Sequence, residues 1–401
     1  MYCFDTIESA ITDIRLGKMV IVVDDEDREN EGDFVMAAEM VTPEAINFMA
    51  TQGRGLICVP ITTERAKDLD LDLMIKSNKS LHQTAFTVSV DYIESGTGIS
   101  AQDRSKTIMA IVDNKTKPED LLRPGHIFPL IANDGGVLVR NGHTEAAVDL
   151  AKLAGFSPTG VICEISNPDG SMARQDQLVE LARQFDLKII TIKDLVSYRN
   201  RNETYIKLVS SIPFPSDYGD FDLHSFTSKL NGEHHLAFVK GDIQNDDKPI
   251  LVRVHSECFT GDIFGSKRCD CGEQLKKSLA LIEDREQGIL IYLRQEGRGI
   301  GLENKIKAYA LQDQGYDTVS ANLELGFEED LREYSFAAQI LKFLKVFKVE
   351  LLTNNLLKVK GLEESGIDVA QKSPLEIFPN ENNIKYLETK RDKMGHQILN
   401  H

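Results

Sequence analysis

The sequence predicts two mixed-sheet domains, of α+β and α/β type, and three observations carry that expectation. At 401 residues the chain is too long for one typical domain. Each half interleaves short apolar runs of strand character with longer runs of helical periodicity. Between them lie residues 197–215 (SYRNRNETYIKLVSSIPFP), after a helix, strand and short helix that close one unit and ahead of strands that open another. The expected domains are residues 1–203 and 204–401, each long enough to bury a substantial core.

In chain order, Phe4, Ile7, Ile11 and Ile14 recur at helical spacing, so the first segment reads as an amphipathic helix and not as a secretory signal. MVIVVDD, GLICVPIT, TAFTVSVD and GVLVR are expected strands. TPEAINFMATQ, DRSKTIMAIVD and HTEAAVDLAKLAG are expected helices, the last with Thr144 or His143 as N-cap and Gly155 as its stop. QLVELARQFDLKIITIKDLVSYRN reads as helix, strand and helix. In the second half FDLHSFTS, HHLAFVKGDI, ILVRVHSE and GILIYLR read as strands, and glycine-rich QEGRGIG leads into the helix LENKIKAYALQDQG.

Hydrophobic residues at 41% and charged residues at 27% fit ordinary globular domains. A net charge of −17 supplies no general basic field, which argues against nucleic acid as a partner. No stretch approaches the roughly 18 apolar residues of a membrane span, so a cytoplasmic protein with no membrane partner is expected. Cys3, Cys58 and Cys163 are scattered and Cys258, Cys269 and Cys271 cluster, unlike a secreted disulfide framework.

Residues 24–33 (DDEDRENEGD) hold seven acids and one base at the end of an apolar strand. They read either as a solvated turn or as carboxylates gathered for a hard cation, which would relieve their repulsion. Gly32 is read as permitting the bend. VLVRNGHTEAA puts His143 where a strand turns into a helix, with Arg140, Thr144 and the helix N-terminus as a natural phosphate cradle. RPGHIFPL carries His126. In GVICEISNPDGSMAR, Glu164 sits in an apolar strand and needs either a partner or a raised pKa, the latter suited to proton transfer.

These segments, with TAFTVSVD and GISAQDRSKTI, resemble 3,4-dihydroxy-2-butanone 4-phosphate synthase from about residue 4 to 202. The resemblance implies that ribulose 5-phosphate is enolised, rearranged and relieved of C4 as formate, with Mg2+ or Mn2+ as cofactor. It implies Glu29 and His143 as metal ligands. Substrate contacts would be Arg28, Glu29, Asp33, Arg140, Asn141, Gly142, His143, Thr144 and Glu164, with His126 and Glu164 catalytic. Cys58 matches a family cysteine near the pocket. A shortened DYIESGTGIS and Pro168 depart from the family pattern.

In the second half the spacing C-x10-C-x-C of Cys258, Cys269 and Cys271 suits zinc by the softness of thiolates. A closed site with His255 as fourth ligand, a catalytic site with an open position and unmetallated cysteines all fit that spacing. Arg253, Glu257, Asp262, Lys267, Arg268 and Gln274 crowd the same segment, which tilts the reading towards water activation beside an anionic substrate. In YLRQEGRGIG the glycines let backbone approach a ligand, and Arg294 and Arg298 add bidentate donors.

Residues 204 to about 375 resemble GTP cyclohydrolase II, through YGDFDLHSF, VRVHSECFTGDIFGSKRCDCGEQL, YLRQEGRGIGLENKIKAYALQDQGYDTVSANLELGF, DLREY and LLTNN. The resemblance implies zinc on Cys258, Cys269 and Cys271 with water as the remaining ligand, and Mg2+ carried with GTP. GTP contacts would be Arg253, Val254, His255, Ser256, Glu257, Gln274, Glu296, Gly297, Arg298, Thr318, Thr353 and Lys358. Asp330 would be the proton acceptor, Arg332 the nucleophile, and Tyr309 a helper at the guanine ring. Leu356 stands where the family has proline and is expected to loosen the loop presenting Lys358. Both resemblances together imply a bifunctional riboflavin-biosynthesis enzyme that acts on small molecules as a homodimer. One working half beside a scaffold, or a non-enzymatic zinc-binding module, are the competing readings.

Overall fold

A computed structural model describes residues 4–244, 248–395 and 397–398, so Cys3 lies outside the described residues. The chain divides into two compact units, Met1–Arg199 and Asn200–His401.

The first unit contains α1 (Ile7–Arg15), β1 (Val20–Val23), β2 (Gly32–Ala37), α2 (Pro43–Phe48), β3 (Cys58–Ile61), α3 (Thr63–Asp68), β4 (Val90–Tyr92), α4 (Ala101–Val112), β5 (Leu121–Ile131), α5 (His143–Leu153), β6 (Gly160–Glu164), α6 (Gln175–Phe185), β7 (Ile189–Thr191) and α7 (Ile192–Asn202). Among the described residues the strands form one sheet in the order β4-β5-β3-β6-β2-β1-β7. β1 and β3 are buried along their whole length because helices cover both faces. Alternation sorts their side chains. Ile21, Phe34 and Val161 meet residues of α2, α4 and α6, while Val20, Val35 and Ile162 meet residues of α1 and α5.

Three local expectations change here. GVLVR forms a 3-10 turn at Gly136–Leu138 and no strand. Gly135 and Gly136 take left-handed φ of 117° and 63°, and the Val137 N–H donates to the Asp149 carboxylate at 2.8 Å instead of to a ladder. TAFTVSVD pairs only through bridges at Phe86 and Thr87 before β4 begins. Thr87 donates its N–H to the carbonyl of Pro129, which has no N–H to return. Helix α5 starts at His143, ahead of where either expected N-cap would start it, with Gly142 as N-cap and no side-chain cap, although Gly155 does end it with φ of 92°.

The second unit runs β8 (Ile206–Ser216), β9 (Gly219–Ser228), β10 (His234–Lys240), β11 (Ile250–Ser256), α8 (Phe259–Asp262), α9 (Cys271–Asp284), β12 (Gly288–Leu293), α10 (Gly301–Asp313), α11 (Thr318–Glu324), α12 (Ser335–Phe343), β13 (Lys348–Leu352), α13 (Leu356–Glu364), β14 (Asp368–Ser373) and α14 (Ile384–Asp392). Its sheet has the order β14-β13-β11-β12-β10-β9-β8 among the described residues. β14, β13, β11 and β12 are mutually parallel, and β10, β9 and β8 continue as an antiparallel meander. Leu279 and Ile282 of α9 pack on Leu251, Leu290 and Leu352 of the parallel block. Parallel strands deliver ligand-binding loops at their C-terminal ends. Here those ends are Glu257 after β11, Arg294 after β12 and Thr353 after β13.

Two candidate metal and substrate sites

In the first unit the acidic run is the turn of a hairpin, closed where Val23 pairs with Gly32. Asp24 organises it. One carboxylate oxygen accepts the Glu31 N–H at 2.8 Å, and the other accepts the Glu29 N–H at 3.1 Å and Arg28 Nη1 at 2.8 Å. The bend itself is Asn30, with φ of 55°. Gly32 is needed for a different reason than the sequence suggested, since a Cβ there would lie 2.5 Å from Leu178.

Asp24, Glu29 and His143 bring ligand atoms within 4.8 Å of one another. Asp24 is already spent on the loop, which leaves Glu29 and His143 facing each other at 3.6 Å. The His143 Nε2 lies 3.2 Å from the Val22 carbonyl. Donation there turns Nδ1 towards Glu29, where a bound cation would take the place of its proton. A carboxylate and an imidazole so aimed fit a divalent cation. The nearby His143 ring holds Glu29 down to about 2, against its partial burial. Burial pushes His143 down, but Asp33, Glu29 and Asp24 outweigh it and lift the ring to about 9. Asp33 is almost wholly buried, its Oδ1 has no hydrogen-bond partner, and burial pushes its carboxyl well up.

Sheet register aligns the remaining groups. Asp33 pairs with Glu164 and with Val22, the strand pair that holds His143 from below. Cys58 pairs with both Phe128 and Ile162, and His126 and Glu164 lie two residues from these partners along β5 and β6, on the same side of the sheet as them. Glu164 finds the partner its position demanded in the Leu56 N–H, at 2.8 Å. The His126 ring is bound through Nδ1 to Asp91 at 2.7 Å, and its backbone N–H to the same carboxylate at 2.9 Å. That contact orients the ring and leaves Nε2 available.

Arg140 does not stand free as a phosphate cradle. Its guanidinium donates to the buried Glu145 at 2.6 Å and to the His82 carbonyl and Thr84 hydroxyl. Gly142 makes this possible, because a Cβ there would sit 2.3 Å from Arg140 Nη1. Thr144 is buried in the first turn of α5 and Asn141 is exposed. Cys58 is buried in the core, where burial holds its thiol protonated. Sequence reasoning counted Asp24 in the acidic run without giving it a role of its own, and missed His82, Asp91 and Glu145 as members of the site. His82 comes within 3.9 Å of Glu29 from a loop with no periodic signal.

In the second unit Cys258, Cys269 and Cys271 gather their sulfurs within 4.8 Å, where β11 runs into α8 and α9 begins. Contact with the other two thiols and with Lys305, at 3.1 Å, pulls Cys258 down to thiolate. The same sharing pushes Cys269 and Cys271 up. Three clustered soft donors fit zinc. His255 is not the fourth. Its Nε2 faces Asp262 at 3.1 Å, and Asp262 also takes the Tyr292 hydroxyl and the Cys258 N–H.

Two clefts adjoin the sulfurs. The inner one, about 580 Å³, is lined by Arg253, His255, Ser256, Gln274, Arg332, Thr353 and Lys358 among others. The outer one, about 730 Å³, is lined by Ser256, Glu257, Glu296, Gly297, Arg298, Tyr309, Thr318 and Arg332 with all three cysteines. Val254 lines neither and instead accepts Lys358 Nζ on its carbonyl at 2.7 Å. Asp330 also lines neither but grips Arg332, whose Nε is 2.7 Å away. Burial raises Asp330, and the Arg332 contacts overcome that and hold it low. Arg298 takes a left-handed φ of 63° and reaches Thr318 at 3.1 Å. Leu356 opens α13, which Asn355 caps by accepting the Leu357 N–H at 2.9 Å, so a helix and not a loop presents Lys358. Asp262 was expected beside the cysteines, whereas Lys305, Asp270, Tyr386 and Lys390 were not picked out from the sequence as members of this site.

The 3,4-dihydroxy-2-butanone 4-phosphate synthase family matches residues 8–198, and the GTP cyclohydrolase II family matches residues 207–374. The chain is 58% identical over 397 residues to the riboflavin biosynthesis protein RibBA of Cytophaga hutchinsonii, covering 98% of each. It is 56% identical over 395 residues to RibBA of Bacillus subtilis, covering 98% of this chain and 99% of that one. Among solved structures it is similar to RibBX, a two domain 3,4-dihydroxy-2-butanone 4-phosphate synthase from A. baumannii. That match has 37% identity and a TM-score of 0.72 over 93% of this chain and 100% of the other. Among the described residues no helix is long and apolar enough to cross a membrane.

Proposed function

The chain belongs to the family of bifunctional riboflavin biosynthesis proteins that join a 3,4-dihydroxy-2-butanone 4-phosphate synthase to a GTP cyclohydrolase II, and we propose that its halves act on ribulose 5-phosphate and on GTP through two chemically distinct metal sites. The first activity is that of a carbon–carbon lyase and the second that of a cyclic-amidine hydrolase. Each reaction releases formate.

In the first half Glu29 and His143 would hold Mg2+ or Mn2+, which when bound polarises the sugar oxygens. Arg28, Asp33 and residues 140–144 take the substrate. His126, oriented by Asp91, and Glu164 move protons during enolisation and rearrangement. In the second half Cys258, Cys269 and Cys271 would hold zinc, which when bound lowers the pKa of water for attack on the guanine ring. Arg253, Gln274, Thr353 and Lys358 receive GTP in the inner cleft, and Glu296, Gly297, Arg298 and Thr318 in the outer one. Mg2+ accompanies the triphosphate. Asp330 sits on the guanidinium nitrogens that must lose a proton if Arg332 is to act as nucleophile.

The observation that carries this reading is the separation of donor types. An oxygen–nitrogen set lies in the unit matched to the synthase, and a three-sulfur set in the unit matched to the cyclohydrolase. Two formate assays on the purified chain test it, one with ribulose 5-phosphate and one with GTP. Release from both is expected, and silence with either substrate sinks the assignment for that half.

A further inference from the structure

Helix α14 lies beyond residue 374, where the cyclohydrolase match ends. Its sequence, IKYLETKRD, reads as a charged, solvated helix. The structure uses it otherwise. Lys390 is only 9% exposed, and its Nζ lies 2.8 Å from Asp270 and 4.4 Å from the centre of the Tyr386 ring. Asp270, itself buried, stands between two of the clustered cysteines. Its other oxygen accepts the Gln274 side-chain N–H, and Gln274 Oε1 accepts Arg253 Nη2 at 2.6 Å. A buried line of polar groups thus runs from α14 through Asp270 and Gln274 to Arg253.

The same segment has two further anchors. Lys393 donates to Asp317 at 2.6 Å, and Asp317 caps α11, whose first residue is Thr318. The Gln397 N–H donates to the Asn354 carbonyl at 3.0 Å, next to Thr353. Tyr386 and Lys390 line both clefts. A buried ammonium is retained only where its charge is answered, and removing one partner of such a pair strands the other.

We propose that α14 forms a wall of the GTP site and that Lys390 is a positioning residue, holding Asp270 so that Gln274 and Arg253 are set for the nucleotide. The role rests on the reading that these clefts receive GTP. It is tested in the full chain with Lys390→Met and Lys390→Arg, measuring zinc content, the KM and kcat of formate release from GTP, and formate release from ribulose 5-phosphate. Lys390→Met is expected to raise the KM for GTP at least about tenfold, with a smaller fall in kcat. Zinc content and the ribulose 5-phosphate reaction should match wild type, and Lys390→Arg should recover to within about threefold. Lys390→Gln is read the same way if Lys390→Met fails to fold. An unchanged KM, zinc lost in step with activity, or an arginine variant as impaired as the methionine one overturns the role. A wild-type chain that releases no formate from GTP sinks the substrate reading itself. A wild type that does, beside an unaltered Lys390→Met, sinks the Lys390 role alone.

Discussion

In the first unit the candidate ligands sit on a hairpin turn and a helix start, and their charges already answer one another. Arg28 bridges Asp24 and Glu29, and His143, lifted to about 9, faces Glu29. In the second unit three thiols crowd together, and proximity pushes Cys269 and Cys271 away from the ionised state a metal requires. Either cluster would exchange protons for a cation, one from the His143 ring and two from Cys269 and Cys271, so zinc bound by the thiols would couple the more strongly to folding. The two halves should therefore respond differently to the same insults.

The largest contrast is expected from Cys258→Ser. It should lower formate release from GTP by at least about a thousandfold, taking zinc with it, and leave the ribulose 5-phosphate reaction alone. Elemental analysis beside the two assays checks this, and a variant that keeps GTP turnover would break the contrast. Next comes metal removal. Stripping zinc with a strong chelator should lower the melting point of the second unit by roughly 10 °C and leave that of the first nearly still. EDTA followed by Mg2+ should restore the first activity, as calorimetry and formate release together would report.

Glu29→Ala should cost the ribulose 5-phosphate reaction about a hundredfold and the GTP reaction nothing. Retained activity would refute the ligand assignment. The smallest effect concerns acid. Burial first, then Arg294 and His234, push His235 of the second unit down to about 4. Its folded pKa lies below its unfolded value near 6.5, so below that pH the unfolded chain takes up a proton the folded one refuses. Stability should fall by about 1.4 kcal/mol per pH unit between about 6.5 and 4. Denaturant titrations at stepped pH would show this slope, and His235→Gln should flatten it.

Much of this is legible in the sequence. The cysteine spacing, the acidic run and RNGHT announce themselves because their members are close in sequence and chemically uncommon together. What stayed hidden is held by register and tertiary packing. Asp91 meets His126 from 35 residues away, and Lys390 meets Asp270 from 120 away, each from a segment unremarkable by itself. The sequence hides why Gly32 is needed, because the Leu178 side chain that forbids a Cβ there belongs to a helix nearly 150 residues later. GVLVR misled because its β-branched residues promise a strand, whereas two left-handed glycines and the Asp149 carboxylate settle its backbone locally.

The alignment of His126, Glu164, Asp33 and Val22 across neighbouring strands carries one last implication. Side chains alternate faces, so a single-step misregistration of β2 or β6 would send its carboxylate to the opposite side of the sheet. These side chains therefore cannot be brought to one face piecemeal. A first unit with either strand slipped would not hold these groups on one face, and transplanting the acidic hairpin into another scaffold would carry over Glu29 without His143.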